Sequence, residues 1–194
     1  MQGSKGLNRY RVIDLALFSV ILCVFESVLV KASTRWFPNE PYTVTVTAAV
    51  TAIVMMRWGP WAAIHALLGG IAFCYSSGAA PRQYLIYCGG NLFSLTALLI
   101  KKRLGEESIR TDALKTLLFG LCAAVLTEAG RTLLSLLTGT ALTAALGFFT
   151  TDAVTLLFTL VIVWIVRRLD GVWEDQHHYL LRLREEQEKE RGGY

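Results

Sequence analysis

The stretch Ala113–Leu137, which reads ALKTLLFGLCAAVLTEAGRTLLSLL, decides the fold of this chain. It is long enough for a helix that crosses a lipid bilayer, which needs about 20 residues. Glu128 and Arg131 lie inside it, one helical turn apart. Charges at such depth cost about 2.5–3.5 kcal/mol each on insertion scales, so they are retained where they face a protein interior or a watery cavity. The pair therefore indicates a functional site, and the alternative is an (i, i+3) ion pair that only holds two helices together.

The composition indicates an integral membrane protein. Hydrophobic residues make up 54% of the 194 residues, more than a soluble domain of this size can hide from water. The net charge of +4 comes from Lys and Arg that flank apolar runs, and no basic stripe alternates with aromatic residues, so nucleic acid is not an expected partner. The four cysteines lie within apolar runs without CxxC spacing, which is typical of small buried residues rather than of a disulfide or metal site.

We predict an all-α membrane protein with six transmembrane helices. The segments are Tyr10–Val30, Tyr42–Met56, Pro60–Tyr75, Tyr84–Ile100, Ala113–Leu137 and Ala141–Val166. The second and third are short, and a single re-entrant hairpin is the alternative there. Lys and Arg are concentrated in the loops on one side, which predicts that both termini are cytoplasmic. Residues 1–168 would form the membrane domain, and 169–194 a charged cytoplasmic C-terminal helix.

Polar side chains on the last three crossings converge on the outer half of the predicted bundle. They are Tyr84, Tyr87 and Asn91 on the fourth segment, Glu128 and Arg131 on the fifth, and Asp152 and Thr155 on the sixth. The cytoplasmic halves of these segments are more apolar. A pore would need polar residues along its whole length, so the pattern favours a substrate pocket that opens outward and is closed below.

The remaining polar residues of the apolar runs have simpler interpretations. We expect Glu26 to pair with Lys31 or to reach water, and Asp14 to pair with Arg11. His65 is expected to be a packing residue rather than a ligand.

Catalytic and cofactor motifs are not found in the sequence. There is no GxxxxGK[ST] loop, no HExxH and no GxSxG, so we predict neither an enzyme nor a cofactor nor a metal site. Glu128 and Asp152 could form an acid–base pair, but Arg131 beside Glu128 favours recognition over proton transfer.

The chain resembles the substrate-binding S components of energy-coupling-factor (ECF) transporters, which import vitamins and related micronutrients into prokaryotes. The resemblance covers about residues 10–168 and rests on chain size, six helices, cytoplasmic termini and three short motifs. These motifs are Arg57-Trp58-Gly59-Pro60-Trp61-Ala62-Ala63, Leu68-Gly69-Gly70 and the loop Ser76-Ser77-Gly78-Ala79-Ala80-Pro81. It implies location in the prokaryotic cytoplasmic membrane and a substrate held near the outer surface. It also adds Trp36, Tyr42, Arg82 and Gln83 as rim candidates.

The resemblance further implies partners for transport. Members of this family lack ATPase activity and dock on a membrane scaffold (T) subunit that is driven by two ATPase subunits. Docking uses a small-residue face of the first helix, often Ala-x-x-x-Ala. Here Ala16 is followed by Val20 four residues later, and Ser19 with Cys23 offers a nearby small face. The alternative to a binding subunit is a structural membrane scaffold of the rod-shape-determining type, in which Glu128 and Arg131 only satisfy each other.

Overall fold

The computed structural model describes residues 2–38 and 42–192, and these residues form helices and no β-strand. The helices are α1 (Gln2–Trp36), α2 (Thr47–Trp58), α3 (Ala63–Ser77), α4 (Pro81–Leu92), α5 (Ala97–Leu104), α6 (Glu106–Thr111), α7 (Ala113–Leu137), α8 (Leu142–Thr151), α9 (Ala153–Val166) and α10 (Gln176–Gly192). Short 3-10 turns at Gly59–Ala62 and Phe93–Thr96 join α2 to α3 and α4 to α5. The predicted all-α class is confirmed.

Within residues 2–38 and 42–192, four helical units are long and apolar enough to cross a membrane. They are Leu7–Trp36, Pro81–Leu104, Ala113–Leu137 and Leu142–Val166. The second and third predicted crossings form shorter helices, because α2 has 12 residues and α3 has 15. All residues of α2 are buried, so this helix lies in the middle of the bundle, in contact with α1, α3, α7 and α9.

Two contacts define the ends of the bundle and show that α4 and α7 run in opposite directions. At one end, Arg82 at the start of α4 donates to the hydroxyl of Thr140, just after α7, at 2.7 Å. At the other end, Lys101 of α5 donates to the carbonyl of Met56, near the end of α2, at 2.9 Å. We call these the Arg82 end and the Lys101 end.

The chain from residue 42 to residue 46, before α2, is not helical, which makes the predicted start of this segment at Tyr42 wrong. Its backbone N–H groups bind other parts of the bundle instead of their own helix. The N–H of Thr43 donates to the carbonyl of Thr151 at 3.1 Å, and that of Val46 donates to the Glu26 carboxylate at 3.0 Å. Buried N–H groups need such partners, and here distant residues supply them.

Glycines let α4 and α7 pack closely. A Cβ atom added at Gly90 would lie 2.6 Å from the backbone nitrogen of Arg131, and one added at Gly130 would lie 2.7 Å from the Cβ of Phe93. Both distances are shorter than any real van der Waals contact. This close approach brings Arg131 on α7 beside Asn91 on α4.

A second buried ion pair lies at the Lys101 end. Arg57 donates to both carboxylate oxygens of Asp14, at 2.8 and 2.9 Å, and to the carbonyl of Gly171. The indole of Trp58 also donates to Asp14, at 2.6 Å. The expected pair of Asp14 with Arg11 is therefore wrong, because Asp14 is turned toward the end of α2.

The segment between α9 and α10 folds back onto the Lys101 end. Trp173 is 1% exposed and meets the ring of Phe119 edge-to-face, with 6.0 Å between centroids. Glu174 accepts from Arg110 at 2.9 Å and from Arg182 at 2.8 Å. The charged C-terminal helix thus begins only at Gln176, and the residues before it are part of the packing of the bundle.

Candidate functional site

Arg131 is the centre of a buried polar cluster. Its guanidinium donates to Glu128 at 3.0 Å and to Asp152 at 2.6 Å. Its Nε donates to the side-chain oxygen of Asn91 at 3.0 Å. Each of these four side chains is only 1% exposed. The predicted convergence of polar groups from three crossings is therefore present, and we call these four residues the Arg131 cluster.

The partners of Arg131 are held in place by bonds to other elements. The amide nitrogen of Asn91 donates to the carbonyl of Ala66 on α3 at 3.0 Å, which turns its oxygen toward Arg131. Asp152 lies at a break between α8 and α9, where the sequence predicts one uninterrupted helix. One of its oxygens accepts from the hydroxyls of Thr43 and Thr151, and the other faces Arg131. The break is local, because the N–H of Asp152 still donates to the carbonyl of Phe148 and its own carbonyl accepts from Leu156, each at 3.1 Å.

An aromatic layer covers the cluster. The ring of Tyr87 lies 4.7 Å from the guanidinium carbon of Arg131, within the range of a cation–π contact. Phe73 stacks on Tyr87 with ring centroids 4.4 Å apart, and Phe148 meets Tyr87 edge-to-face at 5.9 Å. Flat side chains of this kind both exclude water from the charges and offer a surface on which a planar ring can stack.

Two cavities flank the aromatic layer. One has a volume of about 320 Å³ and is lined by Arg82, Tyr87 and Phe148 among others, and we call it the Arg82 cavity. The other has a volume of about 300 Å³ and is lined by Thr43 and Phe73 among others, and we call it the Thr43 cavity. Tyr87 lines the Arg82 cavity and Thr43 lines the Thr43 cavity, and both side chains contact the Arg131 cluster directly.

Glu26 and Thr43 are site residues that the sequence analysis did not select. Glu26 is fully buried, and its Oε2 accepts from the N–H of Val46 at 3.0 Å. Its other oxygen has no hydrogen-bond partner among the described residues. The expectation that Glu26 pairs with Lys31 or reaches water is therefore wrong. A carboxylate inside an apolar run was the available signal, because such a group normally faces the interior of a bundle.

The other predicted site residues lie around the cluster rather than in it. Thr155 is buried one turn beyond Asp152, where it accepts from the N–H of Thr45 at 3.1 Å. Tyr84 packs beside the aromatic layer, and Arg82 is exposed at the rim of its cavity. Trp36 is 60% exposed and makes no contact with the cluster among the described hydrogen bonds and ring contacts.

The three residues predicted for partner coupling differ in their exposure along α1. Ala16 is exposed, whereas Ser19 and Cys23 are half-buried. The hydroxyl of Ser19 lies 3.3 Å from Nε2 of His65 on α3, so it faces the bundle. His65 is itself buried, with Nε2 also 3.2 Å from the carbonyl of Leu15.

The Arg131 cluster is closed in this structure, whereas the sequence predicts a pocket open to water. The cluster presents fixed charged groups and the side-chain amide of Asn91, and the aromatic layer that covers them is flanked by two cavities. Among the described residues, no group of three or more His, Cys, Asp or Glu side chains is arranged to hold a metal ion. Comparisons of the chain with protein families, with curated proteins and with solved structures give no match.

Proposed function

We propose that this chain is the substrate-binding subunit of an ATP-driven, ECF-type importer. It would capture a small polar or heterocyclic, vitamin-like molecule at the Arg82 end, which would face the outside of a prokaryotic cell. The single observation that carries the proposal is the Arg131 cluster with its aromatic layer and its two flanking cavities. Small-molecule sites combine a concave apolar surface with a few precisely placed polar groups, and this arrangement supplies both.

The position of the charges supports binding. Arg131, Glu128 and Asp152 all lie in the half of the bundle toward the Arg82 end, whereas the ion pair of Asp14 with Arg57 lies at the Lys101 end. A permeation path would need polar groups at every depth. A site confined to one half instead suits a protein that captures its cargo on one side and depends on a large movement to release it.

The proposal requires partners that supply energy. The chain has no phosphate-binding loop of the GxxxxGK[ST] type, so ATP hydrolysis would belong to two ATPase subunits linked through a membrane scaffold subunit. The outward face of α1 carries large exposed apolar side chains, such as Leu17 at 56% and Val20 at 62%. Lipid or the scaffold subunit would cover this face in the membrane.

A second candidate function is that of a structural membrane protein without a ligand. The hydrogen bonds of Arg131 favour this function, because its guanidinium already donates to Glu128, Asp152 and Asn91 within the protein. In that case the cluster would only fix the positions of α4, α7 and α9. The two functions differ in whether the cavities beside the cluster hold a molecule.

Native mass spectrometry of the detergent-purified chain separates the two functions. The binding subunit is expected to carry a stoichiometric small molecule that denaturing extraction releases and identifies. Arg131→Met should lose this molecule, while the control Lys115→Met, which alters an exposed ion pair on the same helix, should keep it. A bare chain that also shows no thermal shift with a panel of vitamins and nucleobases would contradict the proposal and favour the structural function.

A further inference from the structure

The site around Arg131 contains more carboxyl groups than cations. Glu26, Glu128 and Asp152 are each at most 1% exposed, and Arg131 is the one buried cation that faces them among the described residues. Three carboxylates against one guanidinium leave a formal excess of two negative charges. Buried charge of one sign is strongly unfavourable unless something neutralises it. Glu26 in particular is left with one oxygen that has no hydrogen-bond partner.

A short non-helical segment connects Glu26 to the cluster. Thr43 donates its hydroxyl to Asp152, and three residues later Val46 donates its N–H to Glu26. Three extended residues span at most about 10 Å, so Glu26 and Asp152 act on the same small region of the site. Their negative potentials therefore overlap, and Thr43, which donates to Asp152, lines the Thr43 cavity.

The Thr43 cavity has the lining of a cation site. Phe37, Tyr42 and Phe73 contribute aromatic rings, and the rings of Phe37 and Tyr42 meet edge-to-face at 5.5 Å. Among the residues that the structure describes, no Lys or Arg lines it. Aromatic faces attract ammonium groups and cationic rings. The hydroxyl of Thr43 lies between this cavity and Asp152. A hydrogen-bond donor on a bound molecule could therefore replace this hydroxyl as a partner of the Asp152 carboxylate.

We infer that the substrate is a small organic cation, either a heteroaromatic ring with a positive charge or a flat ring that carries an ammonium group. Its charge offsets one of the two excess negative charges of Glu26, Glu128 and Asp152, and its ring lies among Phe37, Tyr42 and Phe73. The inference rests on the proposed function and narrows it to one class of substrate. The Arg82 cavity is less suited to a cation, because Arg82 stands at its rim.

The test is a binding assay with compounds matched in shape and different in charge. Purified protein in nanodiscs is titrated with 1-methylnicotinamide, nicotinamide and nicotinate, which are a cation, a neutral molecule and an anion with the same ring. Thiamine, riboflavin and biotin, which are larger molecules of different shape, form a second set of a cation, a neutral molecule and an anion. Equilibrium dialysis and thermal shift are the readouts. We expect binding of a cation from one set and no binding of its neutral and anionic counterparts.

Variants then locate the binding. Asp152→Asn should weaken the binding of the cation by about tenfold or more, since one favourable charge–charge contact is lost. Asp14→Asn removes a partly buried, ion-paired carboxylate at the Lys101 end and is the matched control, with unchanged affinity. Because Asp152→Asn could fail to fold, the partly exposed Tyr42 provides a second probe. Tyr42→Ala should lose the cation and Tyr42→Phe should retain it.

The outcomes separate this inference from the proposed function. Binding of a neutral or anionic compound, with the cations inert, would overturn the inference and still support a substrate-binding subunit. Unchanged cation affinity in folded Asp152→Asn or in Tyr42→Ala would overturn the assignment to this site. If no compound of any charge binds and the purified chain carries no small molecule, both the inference and the proposed function fail.

Discussion

Replacing Arg131 by Met tests how strongly the buried cluster holds the bundle together. The substitution keeps most of the side-chain volume but removes the cation that Glu128, Asp152 and Asn91 contact at 2.6 to 3.0 Å. Both carboxylates then lose their partner while they stay 1% exposed. Removal of one partner of a buried ion pair typically costs about 3–5 kcal/mol, because an uncompensated charge stays in a medium of low polarity.

The same helix provides a matched control for this experiment. Lys115 and Asp112 form an ion pair with the same (i, i+3) spacing, with side chains that are 40% and 45% exposed and an N–O distance of 3.8 Å. Lys115→Met should cost about 1 kcal/mol or less, as is usual for exposed pairs. The free energy of unfolding is measured for all variants in mixed micelles with increasing denaturing detergent. A loss in Arg131→Met no larger than that in Lys115→Met would refute the reasoning.

A triple variant identifies the cause of the loss. Arg131→Met combined with Glu128→Gln and Asp152→Asn leaves no charge in the cluster. It should recover much of the stability of the single variant, because neutral side chains of similar shape replace unpaired charges. If the triple variant is less stable than Arg131→Met alone, unpaired charge is not what destabilises the single variant.

Two further predictions concern helix contacts away from the cluster charges. Gly130→Ala should destabilise the bundle by about 1–3 kcal/mol, because its methyl group would collide with Phe93. The matched control is Gly147→Ala, because Gly147 has open space around it. In the same unfolding assay this control should be neutral or should stabilise the protein by up to about 1 kcal/mol. Equal effects of the two would contradict the packing of α4 on α7. Arg57→Met should release the segment around Gly171, whose carbonyl it binds, and this is seen as faster proteolysis and hydrogen exchange there. Unchanged protection of that segment would show that Arg57 does not hold it.

Helices whose boundaries depend on local signals could be predicted from the sequence. The fifth segment was predicted as Ala113–Leu137, and α7 has these ends. Asp112 precedes it and caps it, since its carboxylate accepts from the N–H of Leu114 at 2.9 Å. The convergence of Asn91, Glu128 and Arg131 was also predictable, because helical spacing places them on inward faces.

Features that depend on distant partners could not be predicted. The segment before α2 is not helical, and Glu26 and residues of α8 and α9 accept from its N–H groups. Nothing in the apolar stretch from Tyr42 to Met56 signals this pairing. The helix break at Asp152 depends in the same way on Thr43, which is more than 100 positions earlier in the chain. Asp14 likewise pairs with Arg57 rather than with its neighbour Arg11.

The central claim is that a small molecule occupies the site beside the Arg131 cluster. The most direct measurement is an experimental structure of the protein purified from the membranes of the cells that produce it, with no compound added. We predict density for one compact molecule that contacts Thr43 or Tyr87, and the same compound in the denaturing extract. Two empty cavities beside an intact Arg131 cluster, together with an extract that contains no such compound, would contradict the claim.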